Sequence, residues 1–188
     1  MKKVITLCCA ALLLPSFVFG PLPVWEKPSQ VVLEGDQGNR VNGGSWSSDE
    51  LVGAVHVLFY VDPDESDLNN AASDALKAEH FDKAQYRSVD IINMDATWLP
   101  NAVLQMRLES KQEEDPPNDL CAGQPDCWWR SWDLADDSSD IVLFDRDGTV
   151  LFSVDGQLTE VQIQELLGLI RERMNGFRRQ NPEVPYER

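Results

Sequence analysis

The feature that most constrains this chain is the stretch from Val55 to Asp67, AVHVLFYVDPDESD with its preceding alanine. Val55 to Val61 is a nearly unbroken run of strand-favouring apolar residues, the pattern of a strand buried on both faces inside a parallel sheet. Asp62 and Pro63 end it. From Ser66 the period becomes helical, with Leu68, Ala71, Ala72, Ala75 and Leu76 on one stripe and Ser66 or Asp67 able to cap it. A buried strand feeding directly into an amphipathic helix points to an α/β architecture with helices packed on a sheet.

The rest of the chain extends that rhythm. Tyr86 to Met94 reads as a second strand, and Pro100 at the first position of a helix introduces a second helix through about Leu108. Ile141 to Phe144 and Val150 to Val154 flank Asp145-Arg146-Asp147-Gly148, a hairpin whose Asp-Gly pair supports positive φ. Thr159 and Gln162 form a capping box for a last helix, with Ile163, Leu166, Leu167, Ile170 and Met174 buried and Gly176 as the expected stop. Between the second helix and the hairpin, residues 111–139 are rich in Pro and carboxylates and carry two cysteines and three tryptophans. That length suits a structured insertion better than a connection.

Residues 1–20 combine Lys2 and Lys3, a short apolar core and small residues before a cut, the pattern of a secretory signal. Its apolar stretch is too short to span a bilayer. Removing it leaves 14 basic against 32 acidic side chains, a formal charge of −18. Such a surface repels phosphate backbones, which excludes nucleic acid as a partner. The expected organisation is a signal over 1–20, an approach segment over 21–44, one domain over 45–176 containing the insertion 111–139, and a mobile tail over 177–188. After signal removal no membrane association is expected, and the chain should be a soluble periplasmic protein.

The order strand, helix, strand, helix, hairpin, helix gives a thioredoxin-like α/β fold: a central mixed sheet flanked by helices, with the Cys/Trp-containing insertion before the C-terminal hairpin. Beyond topology, several motifs resemble the YtfJ family of exported gammaproteobacterial proteins. They are Trp46 with Leu51-Val52-Gly53 and Val55-His56-Val57-Leu58, Trp132-Asp133-Leu134 with Ser138-Ser139, the hairpin turn, and Asp155-Gly156-Gln157-Leu158-Thr159. The resemblance covers roughly Ser45 to Met174. It implies a thioredoxin-like fold and a periplasmic home but no activity, and the old label of transcriptional regulator conflicts with the signal and the charge. Cys121 and Cys127 depart from the family pattern.

Thioredoxin chemistry needs a low-pKa thiolate at a helix N-terminus and a resolving cysteine close by. Here Asp62, Asp64, Glu65 and Asp67 surround that junction, and Ser139-Asp140 stands where a substrate-holding cis-proline would precede the opposite strand. No catalytic residue is expected, and neither a metal site nor a cofactor motif is present. His56 and His80 lack spaced partners and read as structural. Cys121 and Cys127 read as a disulfide staple in an oxidising compartment, contributing about 2 kcal/mol. Trp128, Trp129 and Trp132 suit packing over the sheet, or else the wall of a cleft whose floor is the acidic junction with Ser139 and Asp140. The preferred function is a non-catalytic binding module for an unknown periplasmic protein or peptide. The alternatives are a thiol-disulfide oxidoreductase using Cys121 and Cys127, and an acidic module binding a cation or a basic peptide.

Overall fold

The computed structural model describes residues 22–114, 119–123, 132–135 and 137–180. Its main sheet has six strands in the order β2-β6-β5-β4-β7-β8. The central strand β4 (Val55–Val61) is parallel to β5 (Tyr86–Asn93), which is parallel to β6 (Asp119–Gly123). On the other side β4 pairs antiparallel with β7 (Ser139–Phe144), which forms the anticipated hairpin with β8 (Val150–Val154). The helices are α1 (Asn70–Ala78), α2 (Asn101–Glu114) and α3 (Glu160–Gln180). Strands β5, β4, β7 and β8 with α1 and α3 reproduce the thioredoxin-like arrangement read from the sequence.

All three helices cover the same sheet face. Val55, Val57 and Phe59 of β4 join Leu76 of α1 and Leu166 and Ile170 of α3 in one apolar cluster. Leu104 and Leu108 of α2 meet Ile92 and Leu120 in a second. That placement follows from chain geometry, because β4 to β5 and β5 to β6 step in the same direction and right-handed crossovers then put α1 and α2 on one side. The far face carries a third cluster, in which Leu58 and Tyr60 of β4 pack with Trp46, Trp132 and Phe144.

Several boundaries differ from the sequence expectation. Residues 111–139 are not one insertion: Lys111 to Glu114 continue α2, and Asp119–Gly123 is a sheet strand. A strand of five residues with only Leu120, Cys121 and Ala122 at its centre is too short to show a period, and pairing on both sides supplies what local propensity lacks. The approach segment also enters the architecture. β1 (Val32–Leu33) pairs with β3 (Trp46–Ser47), and β2 (Gly38–Arg40) closes the sheet against β6. Gly38, at φ 126°, is required there because a Cβ would lie 2.2 Å from the Ala122 carbonyl oxygen. Ahead of β1, Trp25 N–H donates to Val150 O at 2.7 Å and Val150 N–H donates to Glu26 O at 2.9 Å, which covers part of the β8 edge.

Helix ends are partly as expected. The capping box at Thr159 forms, with Thr159 N–H donating to Gln162 Oε1 at 2.9 Å and Gln162 N–H to Thr159 Oγ1 at 3.3 Å. Gly176 does not stop α3, which continues to Gln180. The Arg146 guanidinium stacks 3.9 Å from the Phe177 ring, and that tertiary contact outweighs the roughly 1 kcal/mol helix penalty of one glycine.

Candidate functional site

The strand-to-helix junction is built as a capped turn. Pro63–Glu65 is a short 3-10 turn, and the buried Asp62 caps it by accepting from Asp64 N–H at 2.8 Å. Asp62 N–H donates to Ser138 O at 2.9 Å, tying the junction to the start of β7. The other carboxylates serve local bonds: Asp64 accepts from the Thr97 hydroxyl at 2.9 Å, and Asp67 accepts from Asn70 Nδ2 at 3.0 Å. Glu65 is half-buried. Among the described residues no group of three or more His, Cys, Asp or Glu could hold a metal ion. Helix α1 begins only at Asn70, four residues beyond the expected Ser66.

Asn69, which sequence reasoning did not single out, organises this end of the sheet. Its buried amide Nδ2 donates to Ser139 O at 3.0 Å and to Gly156 O at 3.1 Å, while Oδ1 accepts from Leu158 N–H at 2.9 Å. One side chain thus joins the start of α1, the start of β7 and the approach to α3. Beside it Asp140 is fully buried. Its Oδ2 accepts from Ala135 N–H at 2.8 Å, and Ser138 Oγ–H donates to the neighbouring Asp155 Oδ1 at 2.5 Å. Burial first, and the Asp155 carboxylate after it, push the Asp140 carboxyl up to about 8, whereas the Ala135 bond pulls the other way. Asp140 is therefore mostly protonated at neutral pH.

The aromatic wall does not stand where one sequence reading put it. Trp132 is buried on the far face, its Nε1–H donating to Ser29 O at 2.7 Å and its ring 5.8 Å from that of Phe144. This is the packing role, and it leaves Trp132 on the opposite side of the sheet from α1. Trp128 and Trp129 lie outside the described residues, as does Cys127. The expected staple is not formed at Cys121, whose thiol is free and buried in β6. Cys121 sits in the far-face core opposite Ile91 and Arg40, and burial holds its thiol well above the ordinary range. His56 is also structural: it is buried, Nδ1 lies 3.0 Å from Ala54 O, and burial lowers its pKa so that it stays neutral.

What the structure adds is a cavity of about 1090 Å³, above the usual range for ligand sites, which runs as a groove between α1 and α2 and extends past the start of β5 to Trp46, Leu51 and His56. Its floor is the helix-side row of β5, Tyr86, Ser88, Asp90 and Ile92, with Phe59 and Val61 of β4 beside it. One wall is an i, i+3/i+4 stripe of α1 and its approach: Ser66, Asn69 or Asn70, Ser73, Leu76 or Lys77, His80. The other is Leu104, Arg107, Leu108 and Lys111, the same spacing on α2. The groove separates the two apolar clusters on this face, and Val61 touches both.

It exists because the residues that should close it are small or long and charged. Ser88 and Asp90 interrupt the floor of a parallel strand that would otherwise be apolar, and Ser73 leaves α1 too slight to reach α2. Asp90 is held by Lys111 Nζ at 3.1 Å. At the carboxyl end of the sheet the groove opens beside Pro63, Ser66 and Ser139; of the residues expected to form a cleft, Ser139 alone lines it among the described residues. The signal was present in the sequence as a polar pair, two residues apart, inside a strand whose neighbours are Val89, Ile91 and Ile92.

Similar proteins agree on scaffold and lineage. The chain is 27% identical over 186 residues to the uncharacterised protein YtfJ of Escherichia coli K12, covering 92% of this chain and 97% of that one. Among solved structures it resembles a thiol-disulfide isomerase from Corynebacterium glutamicum, with TM-score 0.51 and 20% identity over 74% of this chain and 95% of that chain. It also resembles a thioredoxin-like superfamily protein, with TM-score 0.54 and 12% identity over 78% and 95% of the respective chains. These structural likenesses establish the thioredoxin-like fold. Residues 26–173 match the model of a family described as a bacterial protein of unknown function, YtfJ_HI0045, and the chain belongs to that YtfJ family.

Proposed function

We propose that this protein is an exported, periplasmic binding module that retains the thioredoxin-like scaffold without its redox chemistry, and that its ligand lies in the groove between α1 and α2. The observation that carries the reading is the interrupted core: two apolar clusters on one sheet face are parted by a groove with a polar floor at Ser88 and Asp90. A packed scaffold has no use for that gap, since interiors fill to crystal-like density and each void costs stability. Support against a thiol-disulfide role comes from the junction, which presents Asp62-Pro63-Asp64-Glu65, and from Cys121, buried on the far face with a raised pKa.

Two measurements test it on the mature chain. In an insulin-reduction assay the wild type and Cys121→Ser should both stay at the dithiothreitol background; thiol-dependent turbidity in the wild type alone would restore the oxidoreductase reading. Nile red, a neutral apolar dye, should brighten on binding, and Ser73→Trp, which fills the groove, should abolish that response. Equal brightening in a folded Ser73→Trp chain would remove the groove as the site.

A further inference from the structure

We infer that the groove takes a single-chain amphipathic anion, a long-chain carboxylate whose head lies at the cationic end between α1 and α2 and whose tail runs toward the carboxyl end of the sheet. The inference rests on the binding reading above and deepens it by naming the ligand's chemistry. Its basis is charge placement. In a chain of strongly negative net charge, the groove between the helices is lined by four cations, Lys77, Lys83, Arg107 and Lys111, against the single carboxylate Asp90; Arg87, Glu50 and Asp119 line the same cavity from the far-face side. All three carboxylates are already engaged: Asp90 with Lys111 at 3.1 Å, Glu50 with Arg40 at 2.6 Å, and Asp119 with Arg40 at 3.0 Å. Lys77, Lys83, Arg87 and Arg107 make no ion pair among the described residues. The groove is thus a locally positive strip on an acidic chain, which concentrates an anion there.

The cations are not spread evenly. α1 runs from the carboxyl end of the sheet to the opposite end, where Lys77 near its last turn faces Lys111 near the last turn of α2. Lys83 lies at the same end, before the start of β5. Toward the other end Val61, Pro63, Ile92, Leu99 and Leu104 supply an apolar path, edged by Ser66, Asn69, Asn70 and Ser139. Head and tail therefore have separate environments. An acidic peptide fits less well, because the floor is a sheet face: from Val89 onward β5 is paired on both sides, so the backbone offers no open edge for strand addition. A flexible acyl chain needs only apolar walls.

The test uses the mature chain with Nile red in the groove, displaced by oleate, by dodecyltrimethylammonium and by a lysophosphatidylglycerol. Oleate should displace the dye, and the double reversal Lys77→Glu with Arg107→Glu, both exposed on their helices, should weaken oleate about tenfold, measured against that variant's own Nile red affinity, with the melting temperature retained. Displacement by the alkylammonium as effective as by oleate, or an unchanged oleate response in the double variant, would overturn the assignment. Displacement by the lysophospholipid without oleate would overturn the carboxylate as the head. If Nile red itself fails to bind the wild type, the groove reading fails first, which separates that failure from a wrong ligand class.

Discussion

Replacing Asp140 by Asn gives a stability difference that should appear only as pH rises. The Asp140 side chain is wholly buried, one oxygen accepts from Ala135 N–H at 2.8 Å, and the other has no hydrogen-bond donor among the described residues. Its carboxyl is raised from 3.8 to about 8. Below the unfolded value both states are protonated and nothing is lost. As pH climbs from about 4 to about 8 the unfolded chain ionises while the folded one resists, so folding stability falls and then levels off above the folded value. At about 1.4 kcal/mol per pH unit the full span corresponds to about 6 kcal/mol, and relaxation around the newly formed charge should leave about 3 kcal/mol to be measured. Asn keeps the acceptor for Ala135 and offers a donor toward Asp155 without ionising. Urea denaturation at pH 3.5, 6 and 8.5 should show the two chains within about 0.5 kcal/mol at the lowest pH and Asp140→Asn ahead by about 3 kcal/mol at the highest, with equal m-values. All other carboxylates are shared, so the difference isolates this one. Parallel curves across the range would refute the burial argument.

Three further outcomes follow from particular contacts. Asn69→Leu strips three hydrogen bonds from buried backbone groups and should lower stability by about 3 kcal/mol in the same urea assay; a loss under 1 kcal/mol would mean that the clamp is not needed. Gly38→Ala places a methyl 2.2 Å from the Ala122 oxygen at a φ unfavourable to any side chain, so β2 should detach from β6, with a loss of about 2 kcal/mol or more and faster amide exchange at Arg40. Cys121 should resist Ellman's reagent in the native chain and react at once in 6 M urea, the denaturant strength chosen to unfold a domain of this size.

How much was legible in the sequence varied with the physics involved. β4, the hairpin and α3 declared themselves because each carries a long or chemically marked signal: seven strand formers in a row, an Asp-Gly turn, a Thr/Gln capping box. β6 stayed hidden because its five residues owe their conformation to neighbours on both sides. The acidic junction was correctly recognised as lacking a thiol, and Asp62 performs the capping work expected of a carboxylate beside a helix start. The groove was not foreseen, since it depends on how two helices separated by more than twenty residues meet over one strand. Its only local trace is Ser88 and Asp90 on the helix-side row of β5, and reading that row needs knowledge of which face the helices cover. Trp132 illustrates the same limit: its ring suits a partner surface or a core equally well until the far face of the sheet is in view.

The central claim is that binding occurs over β5, on the helix-covered face, and not through sulfur at the strand-helix junction. Amide NMR of the chain from residue 21 onward, titrated with 1-octanol, a small neutral apolar probe, tests it most directly. The account predicts saturable shifts clustered at Ser73, Ser88, Asp90 and Arg107, with Cys121 and Trp132 on the far face unmoved; shifts concentrated on the far face, or none that saturate, would contradict it.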